Sequence, residues 1–140
     1  MQHEFKLTIF TPTYNRGYII EKLYHSLQAQ SVTAFEWLVV DDGSSDNTEQ
    51  LFAAWIREEN PFPIRYYKKE NGGKCRAINT GLELAKGELF LNVDSDDYLT
   101  EDAVEKILCW ESCLPKDRKF CAVAGNLGCK VWSAIWLGAT

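Results

Sequence analysis

The sequence predicts an α/β fold, a mostly parallel sheet flanked by helices, and three observations carry that expectation. Short β-prone runs alternate with stretches of helical periodicity. Each helical stretch is long enough to cross over a sheet and bring the next strand back in parallel. Polar clusters follow the ends of several β-prone runs, where open α/β sheets bind ligands.

The elements follow in order. Lys6 to Thr11 is a β-prone run that Pro12 is expected to end. After Gly17, residues Ile19, Ile20, Leu23, Tyr24 and Leu27 form the apolar stripe of a first helix. Glu36 to Val40 reads as the second strand. It leads into Asp41-Asp42-Gly43-Ser44-Ser45-Asp46, which has turn chemistry and offers helix N-caps. Leu51, Phe52, Trp55 and Ile56 mark the buried face of the second helix, which Pro61 and Pro63 bring to an end. Ile64 to Tyr67 is the third strand. A third helix follows the Asn71-Gly72-Gly73 loop with Ala77, Ile78, Gly81, Leu82 and Ala85 on one face, and Gly87 stands where a glycine C-cap is expected. Glu88 to Val93 is the fourth strand. Thr100 is the expected N-cap of a fourth helix with the stripe Ala103, Val104, Ile107 and Leu108. Phe120 to Ala124 reads as a fifth strand. Gly125 to Thr140, with Trp132 and Trp136, has no clean period and reads as a partner surface or an element left incomplete at the C-terminus.

Composition narrows the function classes. The chain has 140 residues, 46% of them hydrophobic and 25% charged, the balance of one folded domain over residues 1–140. Lys and Arg total 15 against 20 for Asp and Glu, a net charge of -5, so a broad attraction to nucleic acid is not expected. No run approaches a membrane span, and the N-terminus lacks a signal-peptide layout, so a cytoplasmic location is the expectation. Five cysteines without CxxC spacing fit small, half-buried apolar side chains better than a disulfide framework or a zinc site.

Candidate chemistry collects at the strand ends. Asp94-Ser95-Asp96-Asp97 places three carboxylates within four residues, which repel unless a cation neutralises them. A small set of hard oxygen ligands suits Mg²⁺ or Mn²⁺, which complete their shells with water and phosphate, and no histidine cluster points to zinc. Lys74 and Arg76, beside Gly72 and Gly73, can contact phosphate or hold the loop. Neither GxxxxGK[ST] nor GxGxxG is present, which argues against a P-loop and against a dinucleotide-binding domain. After the first strand, Tyr14 can stack on a base, Asn15 can hydrogen-bond and Arg16 can reach phosphate. Asp42 can accept from the N3–H of uracil. Trp37 and Trp55 read as packing residues, and Asp41 as a cap or a support for Asp42 rather than a ligand contact.

In order along the chain, Thr11-Pro12-Thr13-Tyr14-Asn15-Arg16, Val39 to Asp46, Asn71-Gly72-Gly73-Lys74, Ala77 to Gly81, Ala85 to Glu88 and Asp94-Ser95-Asp96-Asp97 closely resemble the inverting family-2 glycosyltransferases with the GT-A fold. The resemblance spans about residues 5 to 125. It implies that Thr11, Pro12, Tyr14 and Arg16 wall a nucleotide pocket, that Asp42 reads a uracil-type base, and that Lys74 borders the nucleotide. It implies that Asp94 and Asp96 are the two aspartates of the DxD motif, Asp94 near ribose and metal and Asp96 on a Mn²⁺ or Mg²⁺ ion, with Asp97 behind them. The donor is then a UDP-type sugar, and the acceptor a carbohydrate or a lipid-linked hydroxyl compound. Polysaccharide assembly, with peripheral association at the inner membrane face, is the implied setting. Two departures stand out. Cys75 occupies a place where many relatives carry His. No acidic residue follows Asp117, so the acceptor half and its catalytic base are expected to lie outside this chain.

Two other functions remain open from the residues alone. A nucleotidyltransferase shares the α/β layout and the metal but needs a glycine-rich loop after the first strand, which Thr11 to Tyr14 is not. An interaction module, including a homo-oligomer, would use the apolar C-terminal segment.

Overall fold

The structure is a computed structural model that describes residues 4–115, 122–126 and 132–137. Six strands form one sheet: β1 (Phe5–Thr13), β2 (Phe35–Asp41), β3 (Ile64–Lys68), β4 (Gly87–Asn92), β5 (Ala122–Asn126) and β6 (Trp132–Leu137). Four helices connect them: α1 (Glu21–Gln28), α2 (Thr48–Arg57), α3 (Lys74–Leu84) and α4 (Ala103–Ser112). The strand order is β3-β2-β1-β4-β6-β5. The first four strands pair in parallel, and β6 joins antiparallel to both β4 and β5. The expected mostly parallel α/β sheet is therefore present, with an antiparallel pair added at one edge. Among the described residues, no helix is long and apolar enough to cross a membrane.

The order records a reversal of direction. The chain moves from β1 outward to β2 and β3, then returns through α3 to place β4 on the other side of β1. Such a reversal leaves a crevice at the carboxyl ends of the two central strands. Strands β1 and β2 are buried on both faces, which explains their near-continuous apolar runs. One face carries Leu7, Ile9, Trp37, Val39 and Leu91 against α1, α2 and α4. The other carries Phe10, Leu38, Val40 and Phe90 against Ala77 of α3. On the first face Trp37 is fully buried, stacks near Tyr24 and Trp55, and donates its indole N–H to Thr11 Oγ1 at 3.0 Å.

Several local expectations change. β1 runs through Pro12 to Thr13, because its pairing with β4 ends at Phe10 and the missing Pro12 N–H breaks no ladder bond. Gly87 is not a helix cap; α3 ends at Leu84 with Ala85 as its C-cap, and Gly87 opens β4 where an added Cβ would lie 2.4 Å from Thr8 N. Thr100 does not cap α4. Its hydroxyl bonds to Asp102, while Gln30, just past α1, accepts the Val104 N–H at 3.1 Å. Ile56 and Leu82 sit on their helices' outer sides, 48% and 49% exposed, because each helix buries a narrower face than its apolar residues suggest. Cys75, Cys109 and Cys113 are exposed rather than half-buried. Among the described residues β5 covers Ala122–Asn126, two residues past the expected end at Ala124, and the segment without a clean period supplies β6, whose antiparallel partner the local pattern does not reveal. Phe120, Cys121 and Cys129 lie outside the described residues.

Gly81 tests the close packing of α3 on the sheet. Alanine there improves helix propensity by up to about 1 kcal/mol. Its Cβ would meet the fully buried Phe10 ring at 2.3 Å, and overpacking of that kind costs about 1–3 kcal/mol. Gly81→Ala is expected to lower the midpoint of thermal unfolding; an unchanged or higher midpoint would show that the ring can move aside.

Candidate functional site

A cleft of about 550 Å³ opens at the carboxyl ends of β1, β2 and β4. Pro12, Thr13, Tyr14 and Arg16 form one wall, Asp42 and Gly73 another, and Lys74, Asp94 and Asp96 the mouth. Of the residues singled out from sequence, Pro12, Tyr14, Arg16, Asp42, Lys74, Asp94 and Asp96 all line it. Thr11 does not. It is fully buried and its hydroxyl accepts from Trp37, so the wall is made by Thr13, because β1 extends two residues further than expected. Ala77, Asn71 and Ser95 also line the cleft and were not read as site residues. Asn71 and Ser95 lie inside the quoted motifs; only the register of strand and loop separates lining residues from their neighbours.

The walls are held by carboxylates and loop amides. Asp41 is fully buried; its Oδ1 accepts the Ser44 N–H at 2.8 Å and its Oδ2 the Tyr66 hydroxyl. Burial first, then this bond to Asp41, pushes the Tyr66 hydroxyl far above its ordinary pKa. Asp41 thus braces the turn after β2 and does not line the cleft. Asp42 accepts from Lys69 Nζ at 2.8 Å and from the N–H groups of Gly72 and Gly73 at 2.9 Å. Burial alone would raise its pKa, but the ammonium and the amides outweigh burial and hold the carboxyl below its ordinary value. A carboxylate offers about four acceptor positions, so with three filled Asp42 keeps one for a ligand. Gly43, at φ 89°, lets this turn approach the loop; an added Cβ would lie 3.1 Å from Asn71 N.

Asn15 does a different job from the one the sequence suggested. Its backbone is left-handed at φ 52°, and its Oδ1 accepts the N–H groups of Ser45 and Asp46 at 2.8 and 3.2 Å. Its own N–H donates to Ser44 Oγ. Asp46 then accepts from Gly17 N–H and from Thr48, so the loops after β1 and β2 are tied to each other and to the start of α2. Tyr14 is 48% exposed in the cleft, and Arg16 donates to the Tyr18 hydroxyl at 2.9 Å.

Oxygens of Asp94, Asp96 and Asp97 lie within 4.8 Å of one another. Lys74 Nζ is 2.8 Å from Asp94 Oδ1. Burial, then the charges of Asp96 and Asp94, raise the Asp97 pKa, and Lys74 acts against them. Among the described residues this cluster has no nitrogen or sulfur ligand, and its three convergent carboxylates could hold a hard divalent cation.

The family model for glycosyl transferase family 2 matches residues 8–110. This chain belongs to glycosyl transferase family 2. It is 37% identical over 103 residues to glycosyltransferase GlyG of Streptococcus pneumoniae, covering 72% of this chain and 33% of that protein. It is 37% identical over 120 residues to chondroitin synthase of Pasteurella multocida, covering 86% of this chain and 12% of that one. Among solved structures, S. aureus TarS 1–349 in complex with UDP-GlcNAc superposes with a TM-score of 0.71 at 32% identity, covering 76% of this chain and 31% of TarS 1–349. The mannosyltransferase PcManGT from Pyrobaculum calidifontis, in complex with GDP-Man and Mn²⁺, superposes at 0.70 with 26% identity, covering 78% and 33%. The fold is thus of the GT-A type. The chain spans about a third of the length of GlyG and of both these structures.

Asp42 gives this site a pH signature. Asp42→Asn removes the charge opposite Lys69, whose side chain is only 17% exposed, and is expected to cost about 1–3 kcal/mol. The folded pKa lies below the unfolded one, so the unfolded state takes up the proton first as pH falls. The Asp42 contribution is therefore complete above about pH 4 and is lost as pH drops through the folded value. Denaturant unfolding at pH 7 and below pH 4 should show the gap between wild type and Asp42→Asn narrowing in acid; a constant gap would refute this account.

Proposed function

We propose that this chain forms the donor-binding part of a metal-dependent glycosyltransferase that uses a UDP-type sugar. The observation that carries the reading is the convergence of Tyr14, Asp42, Lys74, Asp94 and Asp96 on one cleft. Tyr14 offers an exposed ring face against which a base can stack. Asp42, held ionised, has only acceptor capacity left. It therefore favours a base edge that presents an N–H, such as N3–H of uracil, over one that presents a lone pair. Arg16 and Lys74 supply cationic groups for phosphate.

The residues fit Mn²⁺ or Mg²⁺. Asp94 and Asp96 would hold the ion, with Asp97 close behind, and a cation bound there supplies Lewis-acid stabilisation to a departing diphosphate. Transfer to an acceptor hydroxyl, on a carbohydrate or a lipid-linked saccharide, also requires a base. The TarS complex with UDP-GlcNAc and the PcManGT complex with GDP-Man and Mn²⁺ support a nucleotide-sugar ligand and a divalent cation for this family.

Calorimetric titration of UDP into the chain with Mn²⁺ is the direct test. Binding is expected with Mn²⁺, lost in EDTA, and weakened by at least about tenfold in Asp96→Ala. A folded sample that binds no UDP in Mn²⁺ would overturn the donor-site reading in favour of an interaction module.

A further inference from the structure

Two cationic side chains line the cleft among the described residues, Arg16 and Lys74, and they are used differently. Arg16 donates to the Tyr18 hydroxyl, whereas Lys74 pairs with the acidic cluster. Lys74 stands in the first turn of α3 and Asp94 follows the end of β4, so the pair bridges the mouth of the cleft. Nζ lies 2.8 Å from Oδ1, an oxygen with almost no exposed surface and no directed hydrogen bond. The contact is therefore one of charges. The Asp94 side chain as a whole is 39% exposed and that of Lys74 57%, so the lysine covers one carboxylate oxygen while keeping the freedom to move. Gly73, with φ 94° and nothing within 4 Å of where a Cβ would stand, precedes Lys74. Lys69, the neighbouring lysine, is committed to Asp42.

Electrostatics gives this pair two opposite effects. A divalent cation that needs Asp94 must compete with the ammonium for Oδ1 and is repelled by it. A diphosphate brings negative charge to the same place, and the ammonium released from Asp94 is then a ready partner for it. We propose that Lys74 is an exchange residue, which passes from the Asp94 carboxylate to the donor phosphates when cation and nucleotide bind together. The lysine then disfavours the cation alone and favours the cation with the nucleotide, which makes the two ligands' binding mutually dependent. This rests on the donor-site reading above.

The test measures Mn²⁺ alone by electron paramagnetic resonance, then UDP in saturating Mn²⁺ by calorimetry. Wild type, Lys74→Met and Lys74→Arg are compared, with thermal unfolding as a check on folding. Lys74→Met is expected to bind Mn²⁺ alone about fivefold tighter, and UDP with Mn²⁺ about tenfold more weakly. Lys74→Arg, which keeps the charge, should stay near wild type in both. Lys74→Met with unchanged or weaker Mn²⁺ binding overturns the exchange, as does a change of both affinities in the same direction. A wild-type chain that binds Mn²⁺ but no UDP overturns the donor reading and the transfer to phosphate. Tighter Mn²⁺ binding by Lys74→Met would in that case still uphold the competition at Asp94.

Discussion

The cleft depends on two adjacent carboxylates at the carboxyl end of β2. Successive side chains of a strand face opposite sides, so Asp41 turns toward Tyr66 and the α2 face while Asp42 turns toward the loop before α3. Both are buried, and a buried carboxylate without donors is costly. The surrounding chain answers with Ser44 N–H and Tyr66 O–H on one side, and Lys69, Gly72 N–H and Gly73 N–H on the other. Satisfying these two side chains therefore fixes the turn after β2 and the loop before α3, between which lies the wall made by Asp42 and Gly73.

The opposite end of the sheet uses the same physics. Glu36, at the amino end of β2, is fully buried and accepts from Thr8 Oγ1, Arg65 and the Lys86 N–H. Arg65 also donates to the Leu84 carbonyl at the end of α3. Helix α3 is thus anchored at its C-terminus through Glu36 and led into at its N-terminus by a loop pinned to Asp42. Between these anchors Gly81 allows the helix to lie against Phe10. Lys74 is held at the mouth of the cleft by that placement, and its pairing with Asp94 follows from the position of the helix.

The site also separates structural from available polar groups. Asn15, Asp41 and Asp46 bind backbone and neighbouring side chains, and Asp42 is three-quarters engaged. Tyr14, Arg16, Lys74, Asp94 and Asp96 hold surface toward the cleft. A rigid frame that leaves a few exposed groups convergent is what binding a charged ligand in a defined pose requires.

The sequence by itself determined the alternation of strands and helices, most of the buried helix stripes with Ile56 and Leu82 as the exceptions, and the strand ends at which the polar clusters collect. These are local: periodicity and turn residues report how a segment folds whatever it later touches. The ordered motifs also located seven of the eight proposed cleft residues. Tertiary structure decided the rest, because each of those features depends on a partner distant in the chain. Thr11 became a support for Trp37 and Thr13 the wall, since β1 gained length from its pairing with β2. Gly87 serves the close approach of β1 and β4, and Gln30 supplies the N–H acceptor that Thr100 was expected to give α4. Strand β6 exists through its antiparallel neighbours. Glu36 and Lys69 look like ordinary surface charges in the sequence, and only the packing of the sheet and loops turns them into buried partners.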